Sequence, residues 1–297
     1  MKMKIEHLLT LTQNELYTYL IDTLTLIQVS SKFLIYSKGT TESKPMLCVH
    51  LDTINTHKAN LTGYKVTEDD FVTTNGLIEL SKTSSLSCLG GDDRAGVWVA
   101  LELIKYMEET GDYKYDIGFF LDEEIGCIGS GVFCYDRDKL TNNCYIGLDR
   151  RSTDGTDEVA VYGNDNQELI DVFVNLGYKI EAGSITDAST LSNSIIPCVN
   201  LSVGYDYEHT KDEVLHIKCM DRTLSVLKDL NLVGKEYPTD STPYYNYNFD
   251  DGVTHRYYDS DTMFELDTLK DYLISLGEDP DEVIELAYLK TGDDYVY

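Results

Sequence analysis

Side chains of the kinds that bind metal ions recur at intervals along this 297-residue sequence. The set comprises His50-Leu51-Asp52, Asp92-Asp93, Glu123-Glu124, Asp149 and His209. Imidazole together with carboxylate suits Zn²⁺ or a similar first-row ion better than Ca²⁺, which prefers oxygen ligands alone. Each piece also has an ordinary alternative: acid pairs are usually solvated, Asp149 could cap a helix and His209 could be a surface histidine.

The placement of these residues favours the metal-binding interpretation. Short apolar runs predict buried strands at 46–49, 115–121, 145–148, 159–162 and 199–203, and several of the polar residues follow such a run directly. Carboxylates next to a core are costly unless they are paired or bind a cation. Several carboxylates at one edge would also repel one another, and a divalent ion relieves that repulsion.

The elements that position these residues alternate between strands and helices. Apolar spacing predicts helices over 16–29, 95–107 and 214–230, and alternating residues within 56–90 predict strands or hairpins, such as one at 71–73. The pattern predicts an α/β fold with a mostly parallel sheet, covered by helices on both faces. Ligands of such sheets bind at the carboxyl ends of the strands.

The motifs resemble those of one known superfamily. They are V-H-L-D-T (49–53), G-G-D-D-R-A-G (90–96), D-E-E-I-G (122–126), Asp149 and G-Y-D-Y-E-H-T (204–210). In order and spacing they are similar to the co-catalytic di-zinc exopeptidases, which include leucyl aminopeptidases, peptidase T, tetrahedral aminopeptidases and the acetylornithine deacetylase group. Thr186-Asp187-Ala188 resembles a short T-D-A step of the same proteins.

The resemblance implies a ligand set for two divalent metal ions. His50, Asp92 and Asp149 would hold one ion, and Asp92, Glu124 and His209 would hold the other, so that Asp92 bridges the two. The implied metal is Zn²⁺, with Mn²⁺ or Co²⁺ as alternatives.

The resemblance also implies the roles of the remaining acids. Glu123 would be the general base that moves a proton from water to the leaving amine. Asp52 would orient His50 through the far nitrogen of its ring. A cis peptide bond is expected between Asp92 and Asp93.

The implied substrate is a small peptide or an acylated amino acid. Only 59 residues separate Asp149 from His209, which leaves no room for the lid domain of many relatives. We therefore expect a backbone N–H or a tyrosine to help bind the reacting group, with Tyr205, Tyr207 and Tyr162 as the candidates, although each tyrosine could instead pack at a strand end. The paired Arg150 and Arg151 could capture a substrate carboxylate or simply balance the crowded acids.

The first functional hypothesis is a metal-dependent amide hydrolase of the aminopeptidase kind. An N-acyl amino acid deacylase or a carboxypeptidase of the same fold is the alternative, which the arginine pair would favour. A hypothesis from another class is a catalytically inactive binding module that uses an acidic tail.

Composition excludes several partners. The net charge is −28, from 52 acidic and 24 basic residues, and it argues against nucleic acid and anionic membranes. Seven scattered cysteines without a C-x-x-C pair indicate a reduced, cytoplasmic protein. No signal peptide or apolar run of membrane-spanning length is seen, and an oligomer is compatible with the sequence.

The sequence divides near residue 235. Residues 1–235 are predicted to form the catalytic domain. Residues 236–297 read as an acidic, tyrosine-rich segment followed by a small helical hairpin over 264–276 and 280–290. We expect this tail to pack on the catalytic domain, and a docking element for a basic partner is the alternative.

Overall fold

The computed structural model describes residues 4–39, 42–55, 65–135, 140–162, 166–192 and 196–238. The helices in these ranges are α1 (Ile5–Thr10), α2 (Gln13–Thr23), α3 (Gly91–Thr110), α4 (Ile128–Phe133), α5 (Gln167–Val174), α6 (Asp187–Ser192) and α7 (Ile217–Asp229). The strands are β1 (Gln28–Val29), β2 (Phe33–Tyr36), β3 (Lys44–His50), β4 (Phe71–Thr74), β5 (Leu77–Leu80), β6 (Asp116–Phe120), β7 (Asn142–Arg150), β8 (Glu158–Val161), β9 (Lys179–Ala182), β10 (Cys198–Ser202), β11 (Tyr205–Asp206) and β12 (Val214–His216). No helix in the described ranges is long and apolar enough to cross a membrane.

The main sheet has eight strands in the order β1-β2-β6-β3-β7-β10-β8-β9. Strand β3 pairs in parallel with both β6 and β7, and β7 pairs in parallel with β10. Strands β2 and β8 are antiparallel to their neighbours β6 and β10. The carboxyl ends of the four central strands therefore meet at one edge, which confirms the predicted mostly parallel α/β sheet.

Helices cover both faces of this sheet, because successive side chains of a strand point in opposite directions. In β3, Leu47 and Val49 belong to a core cluster that includes the apolar face of α3. Met46 and Cys48 belong to a second cluster, which also contains apolar residues of α4 and α6. Both faces of the sheet are therefore buried, which explains why strand β3 contains an uninterrupted apolar run in the sequence.

A second sheet has four antiparallel strands in the order β11-β12-β5-β4. Strand β4 confirms the strand that alternation predicted at 71–73. The helix predicted over 214–230 is wrong at its start, because Val214–His216 pair with β5 and α7 begins only at Ile217. The helix predicted over 16–29 is too long, since α2 ends at Thr23 and the chain then enters β1.

The segment between Asp149 and His209 belongs to the two sheets and their helices. Its described residues form β8, α5, β9, α6, β10 and β11, as expected of a chain without a lid at this point. The described chain ends with Tyr237 buried and with the carbonyl of Pro238 accepting a hydrogen bond from Asn166 Nδ2 at 2.7 Å. The predicted helical hairpin of the tail lies outside the described residues.

Candidate metal centre

The five residues predicted to hold metal come together at the carboxyl edge of the main sheet. Three of them belong to the central strands or to the turn after one, namely His50 at the end of β3, Glu124 in the turn after β6 and Asp149 within β7. Asp92 lies in the first turn of α3, and His209 lies in the loop after β11. The three strand residues are far apart in sequence, and the parallel pairing of their strands brings them close together in space.

Asp92 faces both histidines. Its Oδ1 lies 2.9 Å from His50 Nε2, and its Oδ2 lies 3.2 Å from His209 Nε2. His209 Nε2 also lies 3.0 Å from Glu124 Oε2, and His50 Nε2 lies 3.5 Å from Asp149 Oδ1. The side chains thus form two overlapping groups of contacts that share Asp92.

The electrostatics of the site favour cations. Burial and the neighbouring Asp92 raise the pKa of Glu124 to about 7, and they also raise the pKa of Asp149. Contacts with Asp92 and Glu124 raise the pKa of His209 to about 11. Ligand atoms of His50, Asp92 and Glu124 lie within 4.8 Å of one another. This mixed nitrogen and oxygen donor set fits divalent first-row ions.

Asp52 connects the histidine to the acid pair. Its Oδ1 lies 3.3 Å from His50 Nδ1. Its two oxygens accept hydrogen bonds from the backbone N–H groups of Glu123 and Glu124, both at 3.0 Å. The turn between β6 and these residues passes through Asp122 at φ +61°, a left-handed conformation that Asp tolerates better than most residues. Asp52 therefore fixes the position of both elements.

Glu123 lies beside the predicted metal ligands. Its Oε2 is 3.9 Å from His50 Nε2, and Cys127 Sγ contacts its Oε1 at 3.5 Å. Burial, reinforced by the nearby charge of Asp149, raises the pKa of Glu123 well above its usual value. A carboxylate that binds a proton this readily suits a general base.

The peptide bond between Asp92 and Asp93 is cis, as predicted. The carboxylate of Asp93 accepts hydrogen bonds from the backbone N–H groups of His50 at 3.1 Å and Gly96 at 3.0 Å. Arg94 is fully buried and donates to the carbonyls of Leu51 and Leu11. Asp93 and Arg94 thus hold the end of β3 against the start of α3, which is the structural role of the D-D-R-A-G motif.

Glu213 is a residue that the sequence analysis missed. It is 1 % exposed, and it accepts hydrogen bonds from the N–H groups of Gly90 at 3.0 Å and Asp92 at 3.2 Å. Burial raises the pKa of Glu213 to about 8. Its position just before the apolar Val214 and Leu215 was the available signal, but acids are frequent throughout this chain.

A cavity of about 620 Å³, part of it open to bulk solvent, adjoins the cluster. Arg150, Arg151, Tyr162 and Tyr205 all line it. The hydroxyl of Tyr205 donates to Asp149 Oδ1 at 3.0 Å, so it contacts a predicted metal ligand rather than standing free for substrate. Tyr207 is 54 % exposed and is not among the described residues that line the cavity.

The two arginines already have partners. Arg150 Nε lies 3.0 Å from Glu158 Oε2 in a mostly buried ion pair. Arg151 Nη1 lies 3.2 Å from Glu208 Oε1 and is more exposed. Each contact uses one nitrogen of a planar group that carries five N–H donors, which leaves donors for a substrate carboxylate.

Comparison with solved structures shows the same fold in several peptidases. The aminopeptidase PepT of Bacillus cereus is 15% identical, with a TM-score of 0.56 over 75% of this chain and 95% of that chain. An aminopeptidase of Desulfurococcus kamchatkensis is 13% identical, with a TM-score of 0.56 over 84% and 98%. The TET1 peptidase of Pyrococcus horikoshii, described as assembling into a tetrahedron or a large octahedral shell, is 15% identical, with a TM-score of 0.52 over 73% and 92%.

Sequence comparison identifies the family. A search of curated proteins found no match. A family profile described as M42 glutamyl aminopeptidase matches residues 12–162, about half of the chain. The matched region contains His50, Asp92, Glu124 and Asp149, together with the proposed base Glu123. The chain therefore belongs to the M42 glutamyl aminopeptidase family of the co-catalytic zinc exopeptidase superfamily, and it is a metal-dependent aminopeptidase.

Proposed function

We propose that this enzyme removes the N-terminal residue of small peptides with two divalent ions, first of all Zn²⁺. His50, Asp92 and Asp149 hold one ion, and Asp92, Glu124 and His209 hold the other. The observation that carries the proposal is Asp92, whose two carboxylate oxygens face two different histidines at 2.9 and 3.2 Å. A carboxylate with that geometry is suited to bridge two cations.

The chain's own residues supply the proton transfers. When bound, the two ions would supply Lewis-acid polarisation of the scissile carbonyl and lower the pKa of water. Glu123 accepts a proton from the water whose oxygen bonds to the carbonyl carbon. It then donates that proton to the amine nitrogen as the C–N bond breaks. Asp52 keeps Glu123 and His50 in register through the contacts described above.

The arginine pair suggests which N-terminal residue the enzyme prefers to remove. Arg150 and Arg151 line the cavity beside the ligands, and both retain donors beyond their contacts with Glu158 and Glu208. We propose that they bind the side-chain carboxylate of an acidic N-terminal residue, in keeping with the glutamyl specificity in the family's description. The same pair would serve an N-acyl amino acid deacylase or a carboxypeptidase, where it would bind an α-carboxylate.

Metal analysis and assays of one variant test the mechanism. The protein is loaded with Zn²⁺, Mn²⁺ or Co²⁺, and metal is measured by elemental analysis. We expect two ions per chain, and we expect Glu123→Gln to retain them while losing roughly 10²–10⁴-fold in rate. Glu109→Gln, an exposed acid on α3, is the control and keeps full activity. An active Glu123→Gln enzyme refutes the assigned base.

A substrate panel separates the activities. Glutamyl and leucyl anilides, N-acetylglutamate and a peptide with a free C-terminal carboxylate are compared. We expect the glutamyl anilide to be hydrolysed fastest, and we expect Arg150→Gln to reduce this preference over the leucyl anilide. Preference for N-acetylglutamate would support the deacylase instead, and release of the C-terminal residue would support the carboxypeptidase.

The domain arrangement, oligomeric state and location are proposals as well. We propose that 1–235 is the catalytic domain, that the acidic segment 236–297 packs on it, and that the cytoplasmic enzyme assembles into an oligomer. Limited proteolysis is expected to spare the tail until the protein unfolds, and sedimentation is expected to give more than one chain per particle. Rapid loss of the tail, or a monomer, would contradict the respective proposal.

A further inference from the structure

Glu208 is a cavity residue that neither the metal centre nor the proton transfers use. It lines the cavity together with Asp92, Glu123, Glu124 and Asp149. Among the described lining residues these five are the carboxylates, and the proposed function assigns every one except Glu208.

The loop that carries Glu208 holds it in an unusual backbone arrangement. Its neighbours Tyr207 and His209 have φ values of +56° and +64°, a left-handed conformation that is uncommon for a bulky residue such as Tyr and that His adopts more readily. Tyr207 is exposed to solvent, whereas Glu208 and His209 contribute to the cavity. This loop therefore places a carboxylate beside a proposed metal ligand.

One oxygen of Glu208 is held and the other is unpaired. Oε1 lies 3.2 Å from Arg151 Nη1. Oε2 is buried and has no hydrogen-bond partner among the described residues. A buried carboxylate oxygen without a partner is costly, and native proteins rarely leave one unsatisfied. The arrangement points to a hydrogen-bond donor that arrives with the substrate.

The charge of the loaded site indicates what that donor is. Two divalent cations exceed the three negative charges of Asp92, Glu124 and Asp149, so the centre with its ligands is net positive. An aminopeptidase substrate brings a protonated amino terminus into this field, where it needs an anion outside the ligand set. Arg150 and Arg151 add further positive charge to the same cavity.

We propose that Glu208 binds the free α-ammonium group of the substrate and so distinguishes peptides with a free amino terminus from N-acylated ones. The inference rests on the proposed function, because it takes the metal centre as the place where the scissile bond lies. Arg151 contacts Oε1, which leaves Oε2 as the acceptor for the ammonium. An N-acyl group, which has neither the charge nor the three N–H donors, would leave Oε2 unsatisfied.

A pair of inhibitors tests the proposal by binding rather than by turnover. Leucine hydroxamate and its des-amino analogue, 4-methylpentanohydroxamic acid, share the metal-binding group and differ only in the α-amino group. Calorimetry on the metal-loaded, full-length enzyme gives both affinities. We expect the wild type to prefer the amino compound by roughly 10–100-fold, the range of a hydrogen bond to a charged group.

Three variants of the same loop region sharpen the test. Glu208→Gln is expected to lose the preference while binding the des-amino compound within about threefold of the wild type, and Glu208→Asp, which keeps the charge, is expected to recover part of the preference. Asp212→Asn removes an exposed carboxylate of the same loop and is expected to leave both affinities unchanged. If Glu208→Gln fails to fold, the partial loss in Glu208→Asp carries the test.

The outcomes separate this inference from the proposed function. An unchanged preference in both Glu208 variants, or no preference in the wild type, refutes the ammonium site and leaves the metal centre standing. Failure of the des-amino compound to bind the loaded wild type refutes the metal centre and, with it, this inference.

Discussion

Replacing Glu213 by Gln is expected to weaken metal binding although Glu213 is not proposed to touch a metal ion. Its two oxygens accept the backbone N–H groups of Gly90 and Asp92, so it fixes the turn that presents the bridging carboxylate. Gln keeps one acceptor and replaces the other by an NH₂ group, which would face a backbone N–H. One of the two hydrogen bonds is therefore lost, and a buried N–H is left unsatisfied.

The magnitude follows from that single bond. Leaving a buried backbone N–H without its hydrogen bond costs about 1–3 kcal/mol. Groups that orient metal ligands typically change metal affinity by about 10–100-fold, which corresponds to roughly 1.4–2.8 kcal/mol. The two ranges agree, so we expect the dissociation constant to rise by about 10–100-fold if the whole loss falls on the placement of Asp92.

The assay compares metal binding with global stability. Zn²⁺ affinity is measured by competition calorimetry, and the free energy of unfolding is measured by urea denaturation of the metal-free protein. The matched control is Asp70→Asn. Asp70 is also a buried carboxylate, and it accepts a backbone N–H from Thr67 at 2.9 Å and the hydroxyl of Ser84 at 2.8 Å, next to β4. The control is expected to lose stability and to keep its metal affinity.

One result would refute this reasoning. If Glu213→Gln lost stability like the control but bound Zn²⁺ as tightly as the wild type, Glu213 would be a structural residue only. The position of Asp92 would then be fixed by the other contacts of its turn.

Two further predictions concern the same region. Gly96→Ala is expected to destabilise the fold by more than about 3 kcal/mol, because an added Cβ would collide with the carbonyl of Leu148. In the control Gly131→Ala the added Cβ meets nothing within 4 Å, so this variant is expected to be neutral or stabilising by up to about 1 kcal/mol. Urea unfolding measures the stability of both variants, and similar values would contradict the steric argument. Tyr205→Phe removes the hydroxyl that donates to Asp149 and is expected to weaken Zn²⁺ binding roughly tenfold, measurable by the same calorimetry, while an unchanged affinity would show that this hydroxyl does not support the ligand.

The clustering of the proposed metal ligands was predictable because chemistry and topology agree at this edge of the sheet. His50 is the last residue of the fully buried strand β3, and Glu124 follows the fully buried strand β6; parallel pairing brings such strand ends together whatever their separation in sequence. The cis bond at Asp92 and the grouping of the ligands came from the resemblance rather than from residue patterns. The structure adds the contacts that hold them, such as those of Asp52 and Glu213.

The second sheet was less predictable, and the reason lies in its short strands. Val214–His216 continue without a break into α7, and their apolar residues extend the helical spacing backwards. Only pairing with β5, far away in sequence, makes them a strand. The helix predicted over 16–29 was too long for the same reason, because Ile27 and Val29 continue the apolar spacing of α2 although the helix ends at Thr23.

Glu208 and Glu213 were overlooked for a compositional reason. In a chain with 52 acidic residues, a single Glu gives no signal unless its burial is known. Burial depends on tertiary contacts, here with Arg151 in one case and with the turn before α3 in the other. The same holds for Asp187 in the T-D-A step, because its burial, with 2 % of the residue exposed, could not be read from the sequence.

The wide spacing of the ligands along the chain has a consequence for how long the protein survives. Ions held between His50 and His209 would tie together segments that the unfolded chain keeps far apart, so they would bind the native state and hardly the unfolded one. A ligand present at a hundred times its dissociation constant stabilises such a state by about 2.7 kcal/mol. Metal supply would then govern the rate at which the enzyme is degraded as well as its catalysis, because the metal-free protein unfolds more often and is then accessible to cellular proteases.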